Sequence, residues 1–312
     1  MDKMLVMEKS EINTLLQFFP QGLVAVDLET TGLSPLIDKI IEIAAVKLSP
    51  DGKLTSYSSL VDPEIPIPEL TTKIHGIEDS MVSGAPKLKE IFPEFLKFWG
   101  DTDMVAHNAK FDLGFIVYFA LKNNFNVPKV NILDSLAFSR HGLSGAGKPE
   151  NNKLSTLVKH FNIPLLSHHR ALDDAVACMR VFAKSLLHVQ DRSSAQKVLK
   201  NKALIFNLKS FHKNASFEIP KSLLGLKPKV ETQQVVEIEY LGGTIRNQYR
   251  PIRPLSFMPL PGGPVLNALC LLSFHYKNFS LKKIRHFKEP SEEQIDIWLA
   301  KLSAHQLKKG LT

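Results

Sequence analysis

The stretch VAVDLETTGLSP, residues 24–35, carries two acids in an otherwise apolar segment that ends in a turn. Asp27 and Glu29 are two residues apart, so their side chains lie on one face of a β-strand. The apolar residues around them predict that the strand is buried. Buried carboxylates are costly unless they take up protons, pair with cations or bind metal. An acid at a strand end is also a common cap or turn residue, so the pair alone leaves these alternatives open.

The composition predicts a sizeable apolar core and no membrane span. Hydrophobic residues make up 44% of the 312 residues, and no run approaches the roughly 18 apolar residues that a spanning helix needs. The first residues, MDKMLVMEKSEI, lack the pattern of a secretory signal. Cys178 and Cys270 are too few for a disulfide framework or a cysteine zinc site. We therefore expect a cytoplasmic protein.

The charge is distributed unevenly along the chain. The net charge is +8, yet residues 190–312 alone hold 20 Lys or Arg against 9 Asp or Glu, which leaves the front part slightly acidic. A strongly basic back part predicts a polyanionic partner such as nucleic acid. The alternative is a solvated basic surface that serves solubility, and the charge alone does not separate the two.

The order of predicted elements indicates two domains. Strands and helices alternate through residues 1–189, beginning with an antiparallel meander, as is typical of an α/β layered domain. Residues 190–232 are predicted to be a helical extension and linker. Strands separated by turn signals then predict a smaller β-rich domain over residues 233–312, closed by a helix.

Further acids follow buried segments elsewhere in the front part. In AHNAKFD, residues 106–112, Asp112 falls in the first turn of a predicted helix. In HHRALDDA, residues 168–175, two histidines precede two acids at the start of another helix. Strand-end and helix-start acids can converge on one site across an α/β layer. Four carboxylates suit Mg²⁺ or Mn²⁺ better than zinc, and two such ions about 3.5–4 Å apart form a phosphoryl-transfer clamp.

These stretches, together with KIHGIEDSMVSGAPKL at residues 73–88, resemble the motifs of the DEDDh exonucleases. These are the DnaQ-like 3′→5′ nucleases, which include proofreading subunits of bacterial replicative polymerases. Four motifs agree in order and spacing over roughly residues 20–187. The resemblance implies an RNase H-like exonuclease fold, in which helices flank a mixed sheet. It also implies 3′→5′ hydrolysis of phosphodiesters to nucleoside 5′-monophosphates, on single-stranded DNA in preference to RNA.

The resemblance also implies roles for individual residues. His169 would accept the proton of the attacking water, because an imidazole titrates near neutral pH. Four acids would hold two Mg²⁺ or Mn²⁺ ions, namely Asp27, Glu29, Asp112 and Asp174.

Other residues of the same motifs receive different roles. His168 lies before the third motif and has no catalytic role. Asp173 is interpreted as a solvent-facing acid that favours the helix dipole. Thr30 and Leu33 are expected to bind the terminal nucleotide of the substrate, and Asn108 is expected to order a strand–helix junction near the substrate.

The back part resembles a WYL-type domain over about residues 233–289. The matching stretches are VVEIEYLGGTIRNQYRPIRPLSFM, VLNALCLL and NFSLKKIRHF, although Val265 stands where the family triplet has Tyr. The resemblance implies a small SH3/Sm-like β-barrel that senses a ligand or nucleic acid. Cations with interleaved aromatics can follow phosphates and stack on bases. Arg250 and Arg253 are therefore predicted to contact substrate, whereas Phe257 and Phe279 are expected in the core.

Two classes of function fit these patterns. The first is a metal-dependent exonuclease whose basic C-terminal domain binds or senses nucleic acid. The alternative is a nucleic-acid-responsive regulatory binding protein whose exonuclease-like domain is not catalytic. A proofreading partnership with DNA replication or repair proteins is a third hypothesis.

Overall fold

The computed structural model describes residues 6–33, 35, 38–143, 148–164, 170–189, 199, 205–208, 217–242, 248–260 and 262–308. The chain divides into two compact units, and each is described by itself. The first comprises residues 1–32 and 38–211, and the second comprises residues 33–37 and 212–312. The predicted domain boundaries stay a prediction.

The first unit begins its sheet with the predicted antiparallel meander. Its strands are β1 (Leu23–Thr30), β2 (Ile40–Leu48) and β3 (Leu54–Leu60), paired in sequence order. The turn between β2 and β3 contains Gly52, whose φ of +82° lies in the left-handed region that glycine adopts without strain. Of the residues of β2, all but Lys47 are buried, because both faces of the strand are covered.

Two strands parallel to β1 make the sheet mixed, as predicted. These are β4 (Met104–Ala106) and β5 (Asn131–Asp134), and β6 (Ile205–Asn207) adds an antiparallel edge beside β5. Within the described residues the strand order is β3-β2-β1-β4-β5-β6. The region predicted as a helical extension and linker thus contributes a strand. This strand, β6, has only three residues, which are too few to show the alternating pattern from which a strand is predicted.

Helices pack on both faces of this sheet. On β2, Val46 and Leu48 join the apolar cluster of the long eighth helix. Lys47 between them donates to the carbonyl oxygens of Phe98 and Trp99, at 3.2 and 3.3 Å, at the end of the fourth helix. Successive strand side chains alternate, so these two helices lie on opposite faces. The helices are α1 (Lys9–Phe18), α2 (Glu69–His75), α3 (Asp79–Val82), α4 (Leu88–Trp99), α5 (Lys110–Lys122), α6 (Ser135–Gly142), α7 (Leu154–His160) and α8 (Ala171–His188).

The second unit contains an antiparallel sheet with its own core. Phe257 and Phe279 are each 2% exposed, which confirms their predicted place in that core. The SH3/Sm-like barrel and the WYL resemblance stay predictions. Among the described residues of the whole chain, no helix has the length and apolar character needed to cross a membrane. The strand order is β10-β9-β8-β7-β11, formed by β7 (Val236–Tyr240), β8 (Tyr249–Leu260), β9 (Gly263–Cys270), β10 (His275–Ser280) and β11 (Ile284–Lys288), with helices α9 (Leu226–Glu231) and α10 (Glu292–Lys308).

A buried ion pair fixes α1 to α8. Glu11 and Arg180 are 0% and 5% exposed. The guanidinium donates from Nε to Oε2 at 3.0 Å and from one Nη to Oε1 at 3.2 Å, so both carboxylate oxygens are engaged. Such paired contacts compensate two charges that neither side chain could bury alone.

Replacing Glu11 by Ala is expected to lower the free energy of unfolding by about 3–5 kcal/mol, because the buried Arg180 would lose its close partner and keep only the exposed Glu8, at 3.7 Å. Denaturant unfolding of the whole chain measures this change. Glu94→Ala, which removes an exposed acid of α4, is the control. Equal losses in Glu11→Ala and Glu94→Ala would contradict a special role for the buried pair.

Candidate active site

The two acids of β1 lie where that strand meets the first turn of α8. Leu23 and Ala25 of β1 pack in the apolar cluster of α8, and Asp27 and Glu29 continue the same face of the strand. Asp174 lies in the first turn of α8. Carboxylate oxygens of Asp27, Glu29 and Asp174 all lie within 4.8 Å of one another. The fold therefore brings together three of the four predicted metal ligands.

Asp112 lies beside this group but outside the three-residue cluster. It occupies the first turn of α5 and is only 3% exposed. Its charge raises the pKa of Asp27. Burial raises the pKa of Asp112 well above its usual range, although hydrogen bonds from the backbone N–H groups of Asp112 and Leu28 oppose the shift. The predicted fourth ligand thus contributes to the same electrostatic site.

The acid cluster carries more negative charge than its surroundings neutralise. Burial raises the pKa of Asp27 well above its usual range, and the charges of Asp112 and Asp174 add to the shift. Burial also raises the pKa of Glu29 to about 8, reinforced by Asp174 and Glu42 and opposed by Arg170. Carboxylates gathered in this way can hold a divalent cation, whose positive charge offsets their repulsion.

Glu42 is a residue of the site that sequence reasoning missed. It is 1% exposed and lies directly opposite Glu29 in the β1–β2 pairing. Arg170 donates to it from Nε at 3.2 Å and from Nη2 at 2.8 Å, and the backbone N–H of Ala171 donates at 3.1 Å. Facing like charges destabilise a strand pair, and the guanidinium offsets that repulsion. Glu42 thereby holds the N-terminus of α8, which carries Asp174.

Asp134 is a second missed residue, at the end of β5. Its Oδ1 accepts from the backbone N–H groups of Asn108 and Ala137, both at 3.2 Å. Asn108 is exposed and has a φ of +69° at the junction of β4 and α5, and its ordering role stays a prediction. Asp134 is the N-cap of α6, so one carboxylate ties two strand–helix junctions together.

The third motif is described only in part. His169, the predicted proton acceptor, and His168 lie outside the described residues. The prediction that Asp173 faces solvent is wrong, because it is 5% exposed. Its charge contributes to the raised pKa of Arg170. The N-terminus of α8 is covered at Asp173, whereas the neighbouring Asp174 stays partly exposed.

The residues predicted to bind substrate differ in accessibility. Thr30 is 7% exposed and donates to the carbonyl oxygen of Gly32 at 2.6 Å, so its hydroxyl orders the turn after β1. Leu33 is 43% exposed, and its contact with the terminal nucleotide stays a prediction.

The two arginines of β8 also differ. Arg250 is 5% exposed, with Nη1 3.9 Å from Sγ of Cys270 and its guanidinium 5.7 Å from the ring centre of Phe279. This placement does not favour contact with a phosphate in solution. Arg253 is partly buried. Ile252 is 0% exposed and shares the face of Arg250, a signal in the sequence that places Arg250 inside.

A comparison with protein families decides the class of this site. The RNase_T family model, described as an exonuclease, matches residues 24–182, a range that contains all four predicted metal ligands. The chain belongs to this exonuclease family. The matched range contains β2 to β5 and α2 to α7 of the first unit, with most of β1 and α8.

Relatives of the exonuclease region are bacterial polymerases of much greater length. DNA polymerase III PolC-type of Caldanaerobacter subterraneus is 43% identical over 168 residues, which are 54% of this chain and 12% of the polymerase. The corresponding polymerase of Clostridium perfringens is 33% identical over 235 residues, which are 73% and 16% of the two chains. The chain therefore spans only a small part of these relatives.

Solved structures of exonuclease I share the fold. One aligns over 93% of this chain and 72% of its own, with a TM-score of 0.52 and 13% identity. The zinc-bound complex of E. coli exonuclease I with single-stranded DNA aligns over 80% and 55%, with a TM-score of 0.51 and 14% identity. These likenesses support the predicted RNase H-like architecture.

The pKa of Glu29 predicts how the stability of the metal-free exonuclease depends on pH. Because the folded pKa is about 8 and the ordinary value is 4.5, the folded chain binds more protons than the unfolded chain between these values. Metal-free stability should therefore fall as pH rises from about 5 to 8. Glu29→Gln should reduce the fall in Tm over this range by a few degrees, measured with a chelator present.

Glu94→Gln, which changes an exposed acid of α4, is the control for this experiment. It should keep the pH dependence of the unchanged protein. An identical fall in Tm for Glu29→Gln and the unchanged protein would contradict a raised pKa at Glu29.

Glu42→Gln should weaken Mn²⁺ binding by about 10- to 100-fold, the range typical of residues that orient metal ligands. The amide keeps the shape of the side chain but loses the charge that holds Arg170. Calorimetric titration with Mn²⁺ measures the affinity. Glu69→Gln, which disrupts an exposed pair with Lys73, should leave it unchanged. Equal affinities in both variants would show that Glu42 does not position the site.

Proposed function

We propose that this chain is a divalent-metal-dependent 3′→5′ exonuclease that hydrolyses single-stranded nucleic acid, DNA in preference to RNA, to nucleoside 5′-monophosphates. The observation that carries the proposal is the group of carboxylate oxygens of Asp27, Glu29 and Asp174, all within 4.8 Å of one another. The charge of Asp112 acts on the same group.

The chemistry of the donors fits Mg²⁺ or Mn²⁺. Every ligand candidate in the cluster is an oxygen, the donor that hard cations prefer. Cys178 is the thiol whose pKa responds to Asp27 and Asp112, and burial raises that pKa far above its ordinary value, so it stays protonated. Two bound ions would lower the pKa of the attacking water and offset charge on the departing 3′ oxygen.

The residues of the chain would then position the reactants. Asp27, Glu29, Asp112 and Asp174 hold the ions, and His169 accepts the proton of the attacking water. The hydroxyl of Thr30 orders the turn after β1, and Thr30, Leu33 and Asn108 would contact the terminal nucleotide. The clamp of Glu42 and Arg170 keeps the start of α8 in place during turnover.

DNA is favoured over RNA because the relatives at 43% and 33% identity are DNA polymerases. The same relationship supports work beside DNA replication or repair proteins. The basic second unit would bind or sense nucleic acid, and its exposed Lys282, Lys283 and Arg285 support this role better than the buried Arg250 does. Arg253 stays a proposed contact.

Digestion of matched DNA and RNA oligonucleotides, labelled at either end, tests the proposal directly. With Mg²⁺ or Mn²⁺, a 3′ label should be released first as a mononucleotide, and DNA should be consumed faster than RNA. Binding of the oligonucleotides without release of nucleotides would support the regulatory alternative instead. Release of a 5′ label first would overturn the proposed polarity.

Asp174→Asn and Asp27→Asn should each lower hydrolysis by at least about 100-fold, because each removes a metal ligand. His169→Gln should lower it by about 10²–10⁴-fold through loss of the proton acceptor. Asp173→Asn should retain hydrolysis per folded molecule, and so should Asp101→Asn, which changes an exposed acid. Steady-state hydrolysis rates measure these effects, and circular dichroism checks that each variant is folded. Full activity in Asp174→Asn would show that the motif has been misaligned.

A further inference from the structure

The first unit contains a cationic cleft beside the end of α6. Its volume is about 430 Å³, and its polar lining comes from His107, Arg140, Asn151, Asn152 and Lys153. We name it the α6 cleft. None of these residues belongs to the acid cluster, and no role in the motifs accounts for the two cations.

The inner wall of the α6 cleft is fixed by His107. Its Nε2 lies 2.9 Å from the carbonyl oxygen of Asn152, and its Nδ1 lies 2.9 Å from Oγ of Ser135. A carbonyl only accepts, so Nε2 donates to Asn152, and Nδ1 of the neutral ring accepts from the serine hydroxyl. Burial lowers the pKa of His107, and Arg140 adds to the effect. The ring is therefore a rigid, uncharged support.

Two positive charges lie at the α6 cleft without an ion-pair partner among the residues that the structure describes. Arg140 lies in the last turn of α6, and its effect on the pKa of His107 puts the guanidinium near that ring. Lys153 precedes α7, and both side chains are exposed. Within the described part of the chain, neither forms an ion pair. The buried Oδ1 of Asn152 also has no hydrogen-bond partner among the described residues.

The position of the α6 cleft relates it to the acid cluster. His107 follows β4 directly, and α6 follows β5 directly. The neighbouring strands β1, β4 and β5 are parallel, so their carboxyl ends lie along one edge of the sheet. With about 4.8 Å between strands, the cleft begins one or two strand spacings from Asp27 and Glu29. A strand of nucleic acid held at the acids can therefore reach it.

We infer that the α6 cleft binds a phosphodiester on the 5′ side of the scissile bond, with Arg140 and Lys153 as its cationic ligands. This inference rests on the proposed exonuclease function, because it assigns a second contact to the same substrate strand. An arginine guanidinium offers two parallel donors to phosphate oxygens. On the asparagines of the rim, only the Nδ2 groups can donate hydrogen bonds to a phosphate, since the amide oxygens accept. The cleft thus favours substrates long enough to reach it.

The test compares a double variant, Arg140→Gln with Lys153→Gln, with a matched control, Lys97→Gln with Lys122→Gln. The control removes two exposed charges elsewhere in the first unit. The KM for a single-stranded DNA oligonucleotide should rise about tenfold or more in the cleft variant, while kcat changes little. Hydrolysis of the p-nitrophenyl ester of thymidine 5′-monophosphate, which has no upstream phosphate, should be unchanged in both.

Oligonucleotide binding with Ca²⁺ in place of Mg²⁺ gives a readout that does not require hydrolysis. Removing two phosphate contacts should make the slope of log affinity against log salt shallower by about 1.4. An unchanged slope and KM would overturn the inference, and so would an equal loss on the oligonucleotide and the mononucleotide ester. Absence of oligonucleotide binding by the unchanged protein would also overturn it. A shallower slope in a chain that hydrolyses neither substrate would keep the cleft and reject the exonuclease.

Discussion

Repulsion among clustered carboxylates is the constraint on which the first unit depends. Asp27, Glu29 and Asp174 lie within 4.8 Å of one another, so the fold must hold together groups that drive each other apart. Packing elsewhere in the first unit, away from the acids, provides the stability that holds them together. The apolar face of α8 packs against β1, and Arg180 of the same helix is tied to Glu11. The stability gained along α8 therefore offsets the repulsion between carboxylates at its first turn. Functional sites are commonly stabilised in this way by the rest of the fold.

Glu42 has both a structural and an electrostatic role at the acid cluster. The same carboxylate that anchors the start of α8 through Arg170 also raises the pKa of Glu29. Arg170 opposes that rise, so the clamp is both a mechanical joint and a partial neutraliser. A cation bound by the acids and the guanidinium bound by Glu42 would both reduce the negative potential around Glu29.

Local patterns predicted most of the fold and the acids, because alternation and helical period are properties of neighbouring residues. Glu42 interrupts an apolar strand just as Asp27 does and could have been found by the same criterion, although its partner Arg170 lies 128 residues away. The burial of Asp173 depends on what covers the start of α8, which the helix itself does not encode. The charge of Arg250 favours a surface position, whereas its place two residues before the core residue Ile252 favours the buried position that the structure shows.

The antiparallel pairing of β6 with β5 has a consequence for how this protein can be divided. A truncation after residue 189, where the motifs end, would strip β5 of its outer neighbour and leave a row of backbone amide and carbonyl groups open. Exposed edges of this kind recruit other strands and promote aggregation. A soluble nuclease fragment should therefore retain the chain through Asn207, the last residue of β6.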